Sequence, residues 1–302
     1  MGARPTNVRI FEVGPRDGLQ NEAALVAPAD RVSFIERLAD AGLTDIEIGS
    51  FVPPRWIPQM AGTDEVARTL PKRPGVRWWA LVPNAKGLAR AVAAGVDHVS
   101  FVVSASETHS RKNLNKPIDA AVHEVEVLAA AAREHGLPWR GYVSVAFGCP
   151  YEGDVPFDAV LRLADRLLAL GASELSLGDT TGMGHPDAVR AGARRALEAF
   201  GAERVAVHCH DTRGLALTNA YVVLGEGALV LDSSTGGIGG CPYAPGAAGN
   251  LSTEDLVHML DGLGIASGVD VAKIVDTSRW LEESLKVTPA SRYYRFAKQF
   301  RT

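Results

Sequence analysis

The feature that most constrains this chain is an alternation that runs almost from end to end. Short, nearly continuous apolar runs are separated by longer stretches with helical periodicity. The runs fall at 8–13, 45–48, 76–81, 98–102, 142–145, 174–177, 205–208 and 229–232. A strand covered on both faces needs apolar residues at successive positions, whereas a half-exposed strand alternates with polar ones. The runs are therefore read as parallel strands lying under helices. Helix starts are marked by Asp30 ahead of Val32, Ile35, Leu38 and Ala39, by Asn84, by the His185-Pro186 pair, and by Thr253 before 256–260. Eight such units predict an α/β fold, a (β/α)8 TIM barrel. An open doubly wound sheet is the alternative, but no Gly-x-Gly-x-x-Gly follows the first run. One domain over 5–302 is expected, with the barrel at about 8–265. An extension of extra C-terminal helices, about 266–302, carries Arg292-Tyr-Tyr-Arg-Phe296 against the barrel exterior or a subunit contact.

Charge and cysteine usage narrow the classes of function. A formal charge of −4 supplies no basic field for a phosphate backbone, so nucleic acid is excluded as a partner. Arg111-Lys112 is too short to change that, although it suits a single anionic ligand. No stretch approaches the roughly 18 apolar residues of a membrane span, and the N-terminus lacks the apolar core of a secretory leader. The three cysteines, Cys149, Cys209 and Cys241, form no Cys-x-x-Cys pair, which fits free thiols in a reducing, cytoplasmic setting.

Polar residues gather where strands end, which is where barrel enzymes carry their chemistry. The seventh run ends in His208-Cys-His210, and side chains two apart on a strand share a face. The two imidazoles can therefore serve as a ligand pair for a divalent metal, with Cys209 turned away; a hydrogen-bonded structural pair is the alternative. The first run ends in Arg16-Asp17, the second carries Glu47, the fifth ends at Cys149, the sixth at Asp179, and the eighth at Asp232. Asp17 with the histidines makes a two-His-one-carboxylate set with room for water or substrate. Taken singly, Asp17 could brace a loop and Asp179 could cap a helix. Glu47 on an apolar strand requires a partner, for which Arg16 is the natural candidate unless it holds a substrate carbonyl.

The stretch Gly236-Gly-Ile-Gly-Gly-Cys-Pro-Tyr-Ala-Pro-Gly246 leads to Asn250. Its glycines suit a loop that closes over a site, and it lacks the Lys-Ser/Thr of a phosphate-binding loop. Cys241 within it is read as an exposed, reactive thiol, and Cys149 as structural.

Together these segments resemble a known family. Glu12-Val-Gly-Pro-Arg-Asp-Gly-Leu-Gln-Asn-Glu22, Leu81-Val-Pro-Asn84, Gly148-Cys-Pro-Tyr-Glu-Gly153, His208-Cys-His-Asp211 and Gly239-Gly-Cys-Pro-Tyr243 resemble 3-hydroxy-3-methylglutaryl-CoA (HMG-CoA) lyases, in order from about residue 8 to 265. That family sits within the metal-dependent barrels that make or break C–C bonds beside an acyl-CoA, including isopropylmalate and homocitrate synthases. The Gly-Gly-Cys-Pro signature favours the lyase branch, as does the expectation that no C-terminal regulatory domain follows. The resemblance implies that Asp17, His208, His210 and Asn250 bind Mg²⁺ or Mn²⁺. It implies that Arg16 holds the thioester carbonyl and Cys241 takes part in proton transfer, with Glu47 and Asp179 as supporting catalytic groups. Asp179 or a metal-bound water is the expected base. Lys112 and Asn113 are the expected contacts to CoA. The implied reaction is metal-assisted retro-Claisen cleavage of HMG-CoA to acetyl-CoA and acetoacetate, as in leucine degradation and ketone body formation, by a homo-oligomer (dimer or tetramer). Arg213 and Ser234-Thr-Gly-Gly237 depart from the forms associated with mitochondrial members, which leaves citramalyl-CoA or 3-hydroxy-3-isohexenylglutaryl-CoA as alternative substrates. A non-catalytic CoA- or metal-binding barrel is the reading from another class.

Overall fold

All eight expected strands form, and they close on themselves in chain order, β8 pairing with β1 through Arg9–Val230 and its neighbours. The computed structural model describes residues 4–239 and 249–300. The strands are β1 (Arg9–Glu12), β2 (Asp45–Ser50), β3 (Arg77–Leu81), β4 (His98–Ser104), β5 (Trp139–Ser144), β6 (Glu174–Asp179), β7 (Val205–Cys209) and β8 (Val230–Ser233). Every pairing is parallel. Around them lie α1 (Pro28–Asp40), α2 (Thr63–Thr69), α3 (Ala85–Ala93), α4 (Glu107–Asn113), α5 (Ile118–Glu134), α6 (Phe157–Ala169), α7 (Pro186–Phe200), α8 (Ala216–Leu224), α9 (Thr253–Gly262), α10 (Val271–Leu285) and α11 (Arg292–Ala297). None of the described helices is long and apolar enough to cross a membrane.

Local signals explain most boundaries. The Asn84 side chain accepts a hydrogen bond from Gly87 N at 3.0 Å and so starts α3, and Pro186 opens α7. Two expected starts move. Asp30 lies inside the first turn of α1, which begins at Pro28. The cap of α9 is Ser252, which accepts from Asp255 N, while the Thr253 hydroxyl turns inward to donate to Glu12. β5 begins three residues before the expected 142, because the buried Arg140 interrupts the apolar pattern there.

Two cores result. The larger lies between the strands and their helices, with Phe34, Ile35, Leu38, Ile46, Leu175, Val207 and Leu256 fully or almost fully buried. The smaller groups Phe11, Val13, Trp79, Ala206 and Val230. A chain of ion pairs shares the barrel with it. Arg77 and Arg9 meet Asp45 at 2.6 and 3.2 Å, Arg9 also pairs with Glu174, and Arg140 bridges Glu174 to Asp232. An unpaired buried charge costs several kcal/mol. Each member of this chain has a partner of opposite sign, and Arg140 also lies 3.8 Å over the ring of Phe11.

Candidate active site

The C-terminal rim of the barrel is built first by an unusual turn. After β1, Gly14–Gly18 forms a single π-helical turn closed by Gly18 N donating to Val13 O at 3.2 Å. Such one-turn bulges admit an extra residue and recur at functional sites. Here the turn directs both Arg16 and Asp17 into the barrel mouth. Arg16 donates from Nε to Glu47 and from Nη1 to Asp17, with its guanidinium 5.3 Å from the centre of the Tyr142 ring. Tyr142 OH donates to Glu47 at 3.2 Å. The expected Arg16–Glu47 pair is therefore present.

Across the mouth, β7 brings His208 and His210 side by side, ring centres 5.0 Å apart, while Cys209 is buried in the outer core. The Nε2 atoms of His208 and His210 stand 3.9 and 3.7 Å from Asp17 Oδ2. An isolated bridge pairs His210 with Asn250, and Asn250 Nδ2 donates to Asp17 Oδ2 at 3.0 Å and to Ile238 O at 3.1 Å. Gly239 makes this approach possible. Its φ is 105°, and a Cβ there would lie 2.6 Å from Asn250 Nδ2.

The donor set fits a divalent cation. One atom each from Asp17, His208 and His210 can gather within 4.8 Å. Asn250 Oδ1 is buried without a hydrogen-bond partner among the described residues, an arrangement that a buried carbonyl seldom adopts unless something else occupies it. Burial, His208 and Arg16 push the His210 imidazole down to about 3, against the opposing pull of Asp17, so it stays neutral with a lone pair to give. Burial alone would raise Asp17, but Arg16, both histidines and the Asn250 hydrogen bond hold its carboxyl well below the usual range. Two imidazoles, a carboxylate and an amide oxygen suit Mg²⁺- or Mn²⁺-type ions with open positions remaining.

One contributor escaped the sequence reading as a functional residue. Asp232 on β8 accepts from His208 Nδ1 at 3.2 Å, from Ser176 Oγ at 2.8 Å and from Arg140. This fixes the His208 tautomer and aims Nε2 at Asp17, the arrangement that commonly supports metal-ligating histidines. Asp232→Asn is expected to weaken Mn²⁺ binding about 10- to 100-fold. A calorimetric titration that matches the unmutated protein would remove Asp232 from the site.

Asp179 takes a different orientation from the other strand-end residues. It pairs in register with Cys209, whereas Gly178 pairs with His208, so strand alternation turns Asp179 to the outer side. Its Oδ1 accepts from Gly184 N at 2.9 Å, and Gly178 and Thr180 line the mouth in its place. Burial raises its carboxyl to about 6. Through that bond the residue braces the β6–α7 loop. Arg213 likewise serves a loop, donating from Nη1 to Thr181 O at 2.6 Å. Cys241 lies outside the described residues.

The mouth opens into a larger cleft. The small pocket over Arg16, Asp17, His208 and His210 shares Leu81 and Val102 with a cavity of about 690 Å³. Lys112 and Asn113, after β4, line that cavity together with Asn84, Asn115 and Lys116.

A family model described as HMGL-like matches residues 7–281. The chain belongs to the HMGL-like family. Among relatives of this HMGL-like protein, the hydroxymethylglutaryl-CoA lyase of Bacillus subtilis is 45% identical over 281 residues, 93% of this chain and 94% of its own. A crystal structure of the B. subtilis HMG-CoA lyase superposes with a TM-score of 0.96 at 44% identity, covering 98% of this chain and 100% of that one. An HMG-CoA lyase from Acinetobacter baumannii, solved with coenzyme A and 3-methylmalate, superposes with a TM-score of 0.93 at 35% identity, covering 100% and 98%.

Proposed function

We propose that this chain is a carbon–carbon lyase that cleaves (S)-3-hydroxy-3-methylglutaryl-CoA to acetyl-CoA and acetoacetate. The observation that carries this reading is the Asp17–His208–His210 cluster at the mouth of a long cleft, in a chain similar to HMG-CoA lyases over nearly its whole length. In the reaction the C3 hydroxyl gives its proton to a water in the open mouth of the site as the C2–C3 bond breaks. C3 becomes the ketone of acetoacetate, and C2 leaves as the enolate of acetyl-CoA, which is then protonated. Asp17, His208, His210 and Asn250 would hold Mg²⁺ or Mn²⁺, which would supply positive charge to acidify that hydroxyl.

The chain's own residues do the rest. Glu47 and Asp17 engage Nε and Nη1 of Arg16, which leaves Nη2 to donate to the thioester oxygen, where enolate charge develops. Tyr142 and Glu47 hold the guanidinium in place beneath the substrate. Cys241 is the proposed proton donor to the enolate carbon, on the strength of its thiol and its motif. Lys112 and Asn113 are the proposed CoA contacts, supported by their position on the large cleft. A single catalytic domain, a cytoplasmic location and a place in leucine breakdown or ketone body formation belong to the same proposal. Homo-oligomerisation does too, supported by the exposed Phe296 and Phe300 of the C-terminal segment.

The test is release of acetyl-CoA from HMG-CoA under reducing conditions, with and without Mg²⁺. No turnover with the metal present would overturn the reading. A second substrate, citramalyl-CoA, draws support from the hydroxy-dicarboxylate bound by the A. baumannii relative. A side-by-side comparison of kcat/KM for the two thioesters decides between them.

A further inference from the structure

The Gly148-Cys-Pro-Tyr-Glu-Gly153 motif has no part in the chemistry above, yet its geometry is specific. Residues 149–153 form a turn closed by Cys149 N to Gly153 O at 2.8 Å and Gly153 N to Cys149 O at 2.9 Å. The buried Cys149 donates from Sγ to Ser106 Oγ at 3.0 Å. Ser106 Oγ in turn accepts from His109 N at 3.2 Å and caps α4. Glu152 accepts from Thr108 N at 2.5 Å, which satisfies a second N–H of the same first turn. The turn therefore fixes the start of a seven-residue helix whose own buried surface is small, His109 and Ser110 being its buried members.

The other end of α4 carries Lys112, whose ammonium lies 4.1 Å from the centre of the Tyr151 ring. Lys112 and Lys116 both line the large cleft, in different electrostatic states. Lys116 is paired with the Glu124 carboxylate. Lys112 rests on an aromatic face that restrains its long stem, and among the described residues no carboxylate forms an ion pair with it, so its charge is available to an incoming anion.

We propose that Tyr151 is a positioning residue for substrate recognition, holding the Lys112 ammonium where it meets the phosphates of an acyl-CoA. This rests on the lyase reading above. Tyr151→Leu is expected to raise KM for HMG-CoA about 2- to 5-fold with kcat unchanged, the effect of losing one exposed cation–π contact. Tyr151→Phe keeps the ring and should restore the original KM. In a Lys112→Gln background, Tyr151→Leu should add nothing further.

With the acyl-pantetheine thioester, which lacks the nucleotide phosphates, Tyr151→Leu and the unmutated protein should have equal kcat/KM. A defect that persists on this phosphate-free substrate would overturn the proposal, as would additivity with Lys112→Gln or a fall in kcat alone. If Tyr151→Leu does not fold, Lys112→Gln decides alone: its KM must rise for HMG-CoA and stay unchanged for the pantetheine thioester. Failure of the unmutated protein to cleave HMG-CoA at all would count against the lyase reading instead.

Discussion

His210→Ala is expected to weaken Mn²⁺ binding by more than about 100-fold and to remove turnover with it. Loss of a residue that merely supports a ligand costs about 10- to 100-fold, and His210 is proposed as a ligand itself. It is neutral and points Nε2 to within 3.7 Å of Asp17 Oδ2. Removing it leaves Asp17, His208 and Asn250 spread around a gap that no other nearby donor fills among the described residues. Because the imidazole carries no charge, its loss leaves no unpaired ion, and the barrel should stay folded. Calorimetric titration of Mn²⁺ into the folded variant measures the effect; a curve like that of the unmutated protein would refute the ligand assignment.

Cys241→Ser should lower kcat by about 10²- to 10⁴-fold, the usual contribution of a placed general acid or base. A thiol titrates near 8.5 and can give up its proton within a catalytic cycle, whereas a serine hydroxyl of similar size cannot. Mn²⁺ binding and KM should change little, since the cluster at Asp17, His208 and His210 is built without this residue. Turnover near that of the unmutated protein would end its proposed part in proton transfer. Retained turnover in thiol-alkylated protein would do the same.

The barrel was legible because its strands are buried on both faces, which makes the apolar runs nearly continuous. Boundaries slipped where inward residues are polar. Arg140 broke the fifth run, so β5 was expected to start at Tyr142 rather than Trp139. The rim residues from β1 and β7 were legible from strand ends alone. Asp232 was seen as a strand-end residue but given no task, because its hydrogen bond to His208 and its partner Arg140, 92 positions away, are tertiary facts. A charge in an apolar strand needs a partner, which marks Arg140 on the fifth strand as it marks Glu47 on the second. The side that Asp179 takes depends on register, which a strand end alone does not carry: Gly178, not Asp179, stands against His208.

The β1–β8 pairing is where the cylinder is sewn shut. Asp17 follows the first strand and Asn250 follows the last, 233 positions later, with His208 and His210 on the strand beside the seam. A cation gripped by these four groups is therefore a clasp on barrel closure. A partly assembled barrel that lacks its final strand also lacks Asn250 and the seam that brings Asp17 to the histidines, so the ion's full affinity is directed to the completed cylinder. At a hundredfold excess over its dissociation constant, such a ligand adds about 2.7 kcal/mol to the folded state. The ion that prepares the substrate would thus also register that the last strand has arrived.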